Sequence, residues 1–133
     1  MRILHPKDWA PTKGFSNGVA AEGRQVFVAG QIGWNAQQEI VSDDFVAQVD
    51  QALRNIVDIL AEAGARPEHL VRLTWYVTDK REYLARAREV GQAYQRVIGR
   101  HYPAMTLVQV AALLEERAKV EIESTAVVPA KGG

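Results

Sequence analysis

Two stretches near the C-terminus, residues 102–110 and 118–128, constrain the fold more than any other part of the sequence. Both are rich in β-branched side chains and alternate in places between apolar and polar residues, which is typical of β-strands. Pro103 bounds the pair at one end and Pro129 bounds it at the other. The two stretches therefore predict a hairpin that forms the last two strands of a single sheet.

Other strands are predicted earlier in the chain. Residues 2–4 predict a short edge strand, and residues 19–21 and 25–30 predict a β-hairpin that turns at residues 22–24. Residues 70–78 predict a further strand, because apolar side chains recur at every second position. With the C-terminal pair, these segments make six strands.

Two segments carry the three-four apolar spacing of amphipathic helices. The first helix is expected over residues 43–63, with cap candidates at residues 42–44 and a glycine stop at Gly64. The second is expected to begin at Thr78–Asp79 and to end at Gly99. Its predicted apolar stripe is Leu84, Ala87, Gly91, Tyr94 and Ile98.

Composition excludes several kinds of protein. The 133 residues carry 16 basic and 16 acidic side chains, so the net charge gives no reason to expect nucleic acid or an anionic membrane as partner. The absence of cysteine rules out disulfides and thiolate sites. The sequence shows no signal peptide and no stretch near the roughly 18 apolar residues of a membrane span, which favours a cytoplasmic protein.

Neither a metal nor a cofactor is expected. His5, His69 and His101 are widely separated, and none has a second histidine four residues on with which to share a helix face. No phosphate-binding loop, dinucleotide fingerprint or serine-hydrolase motif occurs in the sequence.

The predicted sheet is expected to associate with copies of itself. Two helices can cover only one face of such a sheet, yet its strands carry apolar side chains on both faces. Met105 and Leu107, for example, alternate with Thr106 and Val108. An uncovered apolar face must be buried against another surface, so we expect a homo-oligomer.

Several motifs resemble those of the RidA/YjgF family of imine and enamine deaminases. They are the loop Gly14–Gly18, the turn Ala29–Ile32, Pro103–Met105, and the closing Glu121–Glu123. Asn55 and Tyr94 also match residues that are common in that family. The resemblance implies a homotrimer with its ligand sites in clefts between subunits.

Resemblance and element order together predict one α+β domain over residues 1–133. It would contain a single six-stranded mixed sheet with two α-helices packed on one face, in the order β-β-β-α-β-α-β-β. Such an architecture is RidA-like, or chorismate-mutase-like.

The activity that the resemblance implies is hydrolysis of a C=N bond, with release of ammonia. Glu121 would orient and deprotonate the attacking water, and the backbone at Gly30 and Leu107 would hydrogen-bond the substrate across the subunit boundary. The other residues expected to bind substrate are Phe15, Gln31, Trp34, Tyr94 and Met105.

Met105 departs from the family pattern. The family usually has an arginine there, which forms a bidentate, charge-assisted contact with a substrate carboxylate. A methionine offers only a soft apolar surface, and Phe15 likewise lacks the hydroxyl of the usual tyrosine. Loss of such a contact costs about 2–5 kcal/mol of binding. We therefore expect poor use of 2-iminopropanoate and a larger or more apolar substrate, unless Arg72 or Arg117 replaces the missing guanidinium.

Two alternatives remain open from sequence alone. One is a trimeric small-molecule binding or regulatory protein that kept the cleft and lost the reaction. The other is an endoribonuclease, a name attached to some family members. Neutral net charge and the lack of a histidine pair placed for acid-base catalysis argue against the second.

Overall fold

The computed structural model describes residues 1–130 as an α+β protein. Its elements are β1 (Arg2–Leu4), β2 (Gly18–Ala20), β3 (Arg24–Gln31), α1 (Phe45–Glu62), a 3₁₀ turn (Pro67–His69), β4 (Leu70–Val77), α2 (Lys80–Ala85), α3 (Ala87–Val97), β5 (Ala104–Gln109) and β6 (Val120–Val128). Positions 131–133 of the predicted domain lie outside the described residues.

The strands divide into two sheets. The larger sheet has the order β3-β6-β4-β5; β4 and β5 are parallel, and the other neighbouring pairs are antiparallel. β1 and β2 form a separate antiparallel ribbon. The mixed sheet agrees with the prediction, but a single six-stranded sheet is not confirmed.

The predicted hairpin between β2 and β3 is wrong. β2 pairs with β1, whereas β3 pairs with β6 from Arg24 opposite Val128 onward. The nine-residue β6 offers β3 a far longer ladder than the three residues of β2 can. Gly23 fits this arrangement, because a Cβ there would lie 2.8 Å from the carbonyl carbon of Val128.

The predicted C-terminal hairpin is also wrong. β5 pairs in parallel with β4, and β6 lies on the other side of β4, so the last two strands are not neighbours. Residues 110–119 form a connection long enough to pass the end of β4. Insertion between β3 and β4 gives β6 two ladders instead of one.

The first helix is confirmed. It begins after Asp44, whose side chain accepts a hydrogen bond from the amide of Ala47 (2.9 Å). Its apolar face is fully buried against the sheet and α3. The buried hydrophobic residues of this face are Phe45, Val49, Ala52, Leu53, Ile56 and Leu60.

The predicted second helix is two helices, α2 and α3, with a break at Arg86 (φ −111°). The Arg86 guanidinium donates hydrogen bonds to the carboxylates of Asp44 (2.9 Å) and Glu89 (2.8 Å), which fixes the break. The predicted stripe is only partly correct, because Leu84, Ala87 and Gly91 are exposed. The buried residues in α3 are Val90, Ala93 and Tyr94.

The two faces of the larger sheet differ in character. The helix-facing side carries Leu73, Trp75 and Ile122, which are buried in the hydrophobic core. The opposite side, here called the open face, mixes the 73% exposed Phe27 with polar residues such as Thr74. The open face is therefore less apolar than the alternation predicted. None of the helices in residues 1–130 has the length and apolar composition that a membrane crossing needs.

Candidate functional site

A groove of about 810 Å³ runs between α3, β5 and the segment that precedes β2. Phe15, Tyr94, Met105 and Leu107, four of the predicted substrate-binding residues, line it together. This cavity is called the α3–β5 groove below. Its residues are mostly apolar, and Lys13 is the only charged one among the described residues that line it.

The register of the sheet explains why Met105 and Leu107 line the same groove. In the parallel pairing of β4 with β5, Met105 lies beside Leu73 and Leu107 lies beside Trp75. All four side chains therefore lie on the helix-facing side. Met105 and Leu107 are half-buried and pack against the hydrophobic core.

Two stacked aromatic residues form part of the groove wall. The Tyr94 ring stacks on Tyr102 with centroids 5.4 Å apart, and its hydroxyl donates a hydrogen bond to the backbone carbonyl of His101. Burial raises the pKa of Tyr94 well above the usual range, so its phenol stays protonated. Trp75 also lines the groove, and its buried indole N–H has no hydrogen-bond partner among the described residues.

Glu121 lies on the opposite side of the sheet, beside Tyr76 of β4. Its carboxylate extends over the backbone of Gly30, where β3 departs from regular pairing with β6. A Cβ at Gly30 would come within 2.8 Å of the carboxylate carbon of Glu121 and closer still to Oε2. The glycine thus leaves the space that the carboxylate occupies.

Glu121 and Glu123 differ in their hydrogen bonds. Glu123 is exposed and accepts a hydrogen bond of 2.6 Å from the Tyr76 hydroxyl, which raises the pKa of that tyrosine. No hydrogen bond or ion pair within residues 1–130 engages the half-buried Glu121 carboxylate. Of the two, only Glu121 retains its full capacity to accept hydrogen bonds from water or substrate.

Gln31 and Trp34 do not line the α3–β5 groove. Gln31 ends β3 beside Ile122, and its side-chain amide donates to the carbonyl of Ala29 (3.1 Å). Trp34 lies in the following loop, where the Asn55 amide donates to its carbonyl (2.9 Å). Asn55 thus fixes the loop that follows Gly30.

Neither candidate replacement for the missing guanidinium lines the groove. Arg72 is exposed on β4 and pairs in register with Ala104 and Thr125, which lie on the open face. Arg117 bonds the carboxylate of Asp43 at 2.9 Å. Within one chain, neither arginine is therefore placed to replace the guanidinium in this groove.

Gln48 is a positioning residue that the sequence reasoning missed. Its fully buried amide donates to the carbonyls of Ser42 (2.9 Å) and Arg117 (3.0 Å) and accepts from the amide of Lys119 (2.8 Å). It therefore ties α1 to the residues that lead into Glu121. A polar side chain inside the apolar stripe of α1 was the available signal.

Replacing Gln48 by leucine is expected to destabilise the fold by about 3 kcal/mol. Similar volume is kept, but three part-buried backbone groups lose their hydrogen-bond partners, at about 1 kcal/mol each. Urea unfolding measures the change, with the exposed Gln92→Leu of α3 as a matched control. Equal midpoints for the two variants would show that Gln48 has no such role.

Within one chain, six of the eight predicted site residues therefore form two groups on opposite sides of the sheet. Phe15, Tyr94, Met105 and Leu107 lie in the α3–β5 groove, whereas Glu121 lies over Gly30 on the other side. In the described part of the chain, no three histidine, aspartate or glutamate side chains converge as a metal-binding group.

Comparisons with known proteins all find relatives of one family. The family model Endoribonuclease L-PSP matches residues 6–128. A RutC family protein of Aquifex aeolicus is 34% identical, over 94% of this chain and 97% of that protein. A 2-iminobutanoate/2-iminopropanoate deaminase of Salmonella typhimurium is 32% identical, over 79% of this chain and 80% of that protein. The crystal structure of the Rid-family protein YyfB from Yersinia pestis is 34% identical with a TM-score of 0.85, covering 96% of this chain and 98% of that one.

Proposed function

The chain belongs to the RidA/YjgF family, and on that premise we propose that it hydrolyses imines or enamines whose recognition does not depend on a carboxylate contact at position 105. The observation that carries the proposal is the apolar α3–β5 groove, which has Met105 on its floor. The deaminase name of a relative that is 32% identical supports the reaction type.

The reacting site is formed between two copies of the chain. Met105 and Glu121 lie on opposite sides of one sheet, so a single chain cannot direct both side chains at one substrate. A homotrimer, the assembly expected from the family resemblance, would bring Glu121 of one subunit to the groove of the next. The open face of each subunit's larger sheet would form the surface that is buried between subunits.

The chemistry requires few groups. Glu121 accepts a proton from a water molecule as that water attacks the imine carbon, and passes this proton to the nitrogen, which gives a carbinolamine and restores the carboxylate. Glu121 then moves the hydroxyl proton to the amine, the C–N bond breaks, and ammonia leaves with formation of a carbonyl. Its half-buried carboxylate, which has no partner within residues 1–130, suits this role.

Replacing Gly30 by alanine is expected to lower kcat about 10- to 100-fold without loss of the fold. The new methyl group would displace the Glu121 carboxylate, and misplacement of a reacting group by about 1 Å costs up to 100-fold. Steady-state ammonia release measures the effect. In a Glu121→Gln background the same substitution should have no further effect; an independent loss would show that Gly30 acts by another route.

A non-catalytic binding protein of the same family is the second candidate, because the apolar groove could hold a ligand without turning it over. Ammonia release from a panel of imines, measured beside calorimetric binding of apolar acids, separates the two. Binding without turnover for the whole panel would favour the second candidate and refute the first.

The family model's description also names an endoribonuclease. The chain's balance of 16 basic and 16 acidic residues offers little attraction for polyanionic RNA. Ribonuclease activity that persists through repeated purification and disappears in Glu121→Gln would establish that function instead.

A further inference from the structure

Gly91 occupies an unusual position in α3. It lies inside the helix without a positive φ, so nothing in the backbone requires a glycine there. A Cβ built on Gly91 would meet no atom within 4 Å, so no neighbouring side chain requires one either. The open space above Gly91 is part of the α3–β5 groove.

A glycine in such a position weakens the helix. Glycine has the largest conformational freedom to lose on folding, and alanine is the better residue wherever the backbone is helical and space is free. Departures from local preference of this kind are expected where function requires them. Here the visible consequence of the glycine is room in the groove, opposite the sheet residues Met105 and Leu107.

The buried indole N–H of Trp75 is a second, independent feature of the same groove. It has no partner among the described residues, although a buried donor normally has one. Because this N–H is inaccessible, the groove surface itself is mostly apolar, as the walls of small-molecule sites usually are.

We propose that Gly91 is the residue that sets substrate size: the space it leaves receives the branched or aromatic side chain of a 2-imino acid. The proposal rests on the proposed function and narrows it to one substrate class. A small imine such as 2-iminopropanoate has only a methyl group to place there and leaves the space above Gly91 unfilled.

The test is binding of two stable 2-oxo acids, 4-methyl-2-oxopentanoate and pyruvate, to the assembled protein by calorimetry. The native protein should bind the branched acid more tightly. In Gly91→Leu, the affinity for the branched acid should fall about 10- to 100-fold, because a pocket discriminates by about that factor per methylene group. The affinity for pyruvate should change less than threefold.

Gln92→Leu is the matched control, since it adds the same side chain to the next, exposed residue of α3 outside the groove. It should bind both acids like the native protein, and Gly91→Leu should be at least as thermally stable as native. Equal affinities of the native protein for both acids, failure to bind the branched acid, or unchanged binding by Gly91→Leu would overturn the proposal. Because no turnover is measured, a failure of this proposal can be distinguished from a failure of the proposed deaminase activity.

Discussion

Replacing Glu121 by glutamine is expected to lower kcat for imine hydrolysis about 100- to 10,000-fold, the usual contribution of a general base. The amide keeps the size and shape of the side chain but cannot accept a proton from water. Because no hydrogen bond or ion pair among the described residues depends on this carboxylate, the fold should be unaffected. The measurement is ammonia release under saturating substrate, with circular dichroism as the check on folding.

Glu123→Gln is the matched control for this prediction. Glu123 lies two residues further along the same face of β6, but its carboxylate is engaged by the Tyr76 hydroxyl. We expect a change in kcat of less than threefold for this variant. A larger loss of kcat in Glu123→Gln than in Glu121→Gln would show that Glu123, and not Glu121, is the general base.

Mixed oligomers test whether the groove and Glu121 come from different subunits. Glu121→Gln has an intact groove, and Gly91→Trp, with its groove blocked, has an intact Glu121. Each should be inactive alone toward the leucine-derived imine, but in the proposed cyclic trimer about one interface in three combines the two intact halves whenever both variants are present. Recovered activity supports a shared site, whereas inactive mixed trimers would require both groups to act within one chain.

Replacing Met105 by arginine is expected to raise kcat/KM for 2-iminopropanoate about 30-fold to several thousandfold. A bidentate contact with the substrate carboxylate would contribute about 2–5 kcal/mol. Met105 is only half-buried and lines the groove, so the longer side chain can extend into it without opening the core. The measurement compares kcat/KM of the two proteins on enzymatically generated 2-iminopropanoate.

Met105→Lys and Met105→Gln are the controls. Lysine supplies the charge without the planar fork and should give a smaller gain, and glutamine should give almost none. An arginine variant no better than the glutamine variant would mean that position 105 does not contact the substrate carboxylate.

The alternation of side chains within each strand could be predicted from the sequence, and the order of the strands could not. Period-2 spacing correctly assigned Met105 and Leu107 to the face opposite Thr106 and Val108. The pairing of β6 with β3 and β4 depends on contacts between distant segments. Two strands that are consecutive in the sequence predict a hairpin, even where a third strand lies between them in the sheet, as β4 does between β5 and β6.

The candidate site could likewise be predicted only in part, because it too depends on contacts between distant segments. Phe15, Tyr94, Met105 and Leu107 line one groove of a single chain, whereas the family motifs predicted sites in clefts between subunits. The contributions of Trp75 and Gly91 to that groove depend on how α3 packs over the sheet. A sequence pattern describes one element at a time and does not show the space between two elements.

The most direct test of the account is the ratio of kcat/KM for two imines, one derived from leucine and one from alanine, generated in place by an amino-acid oxidase. An apolar groove without a guanidinium at position 105 predicts that the leucine-derived imine is the better substrate, by about tenfold or more. Met105→Arg should shift the ratio toward the alanine-derived imine. A native protein that turns over the alanine-derived imine equally well or faster would contradict the account.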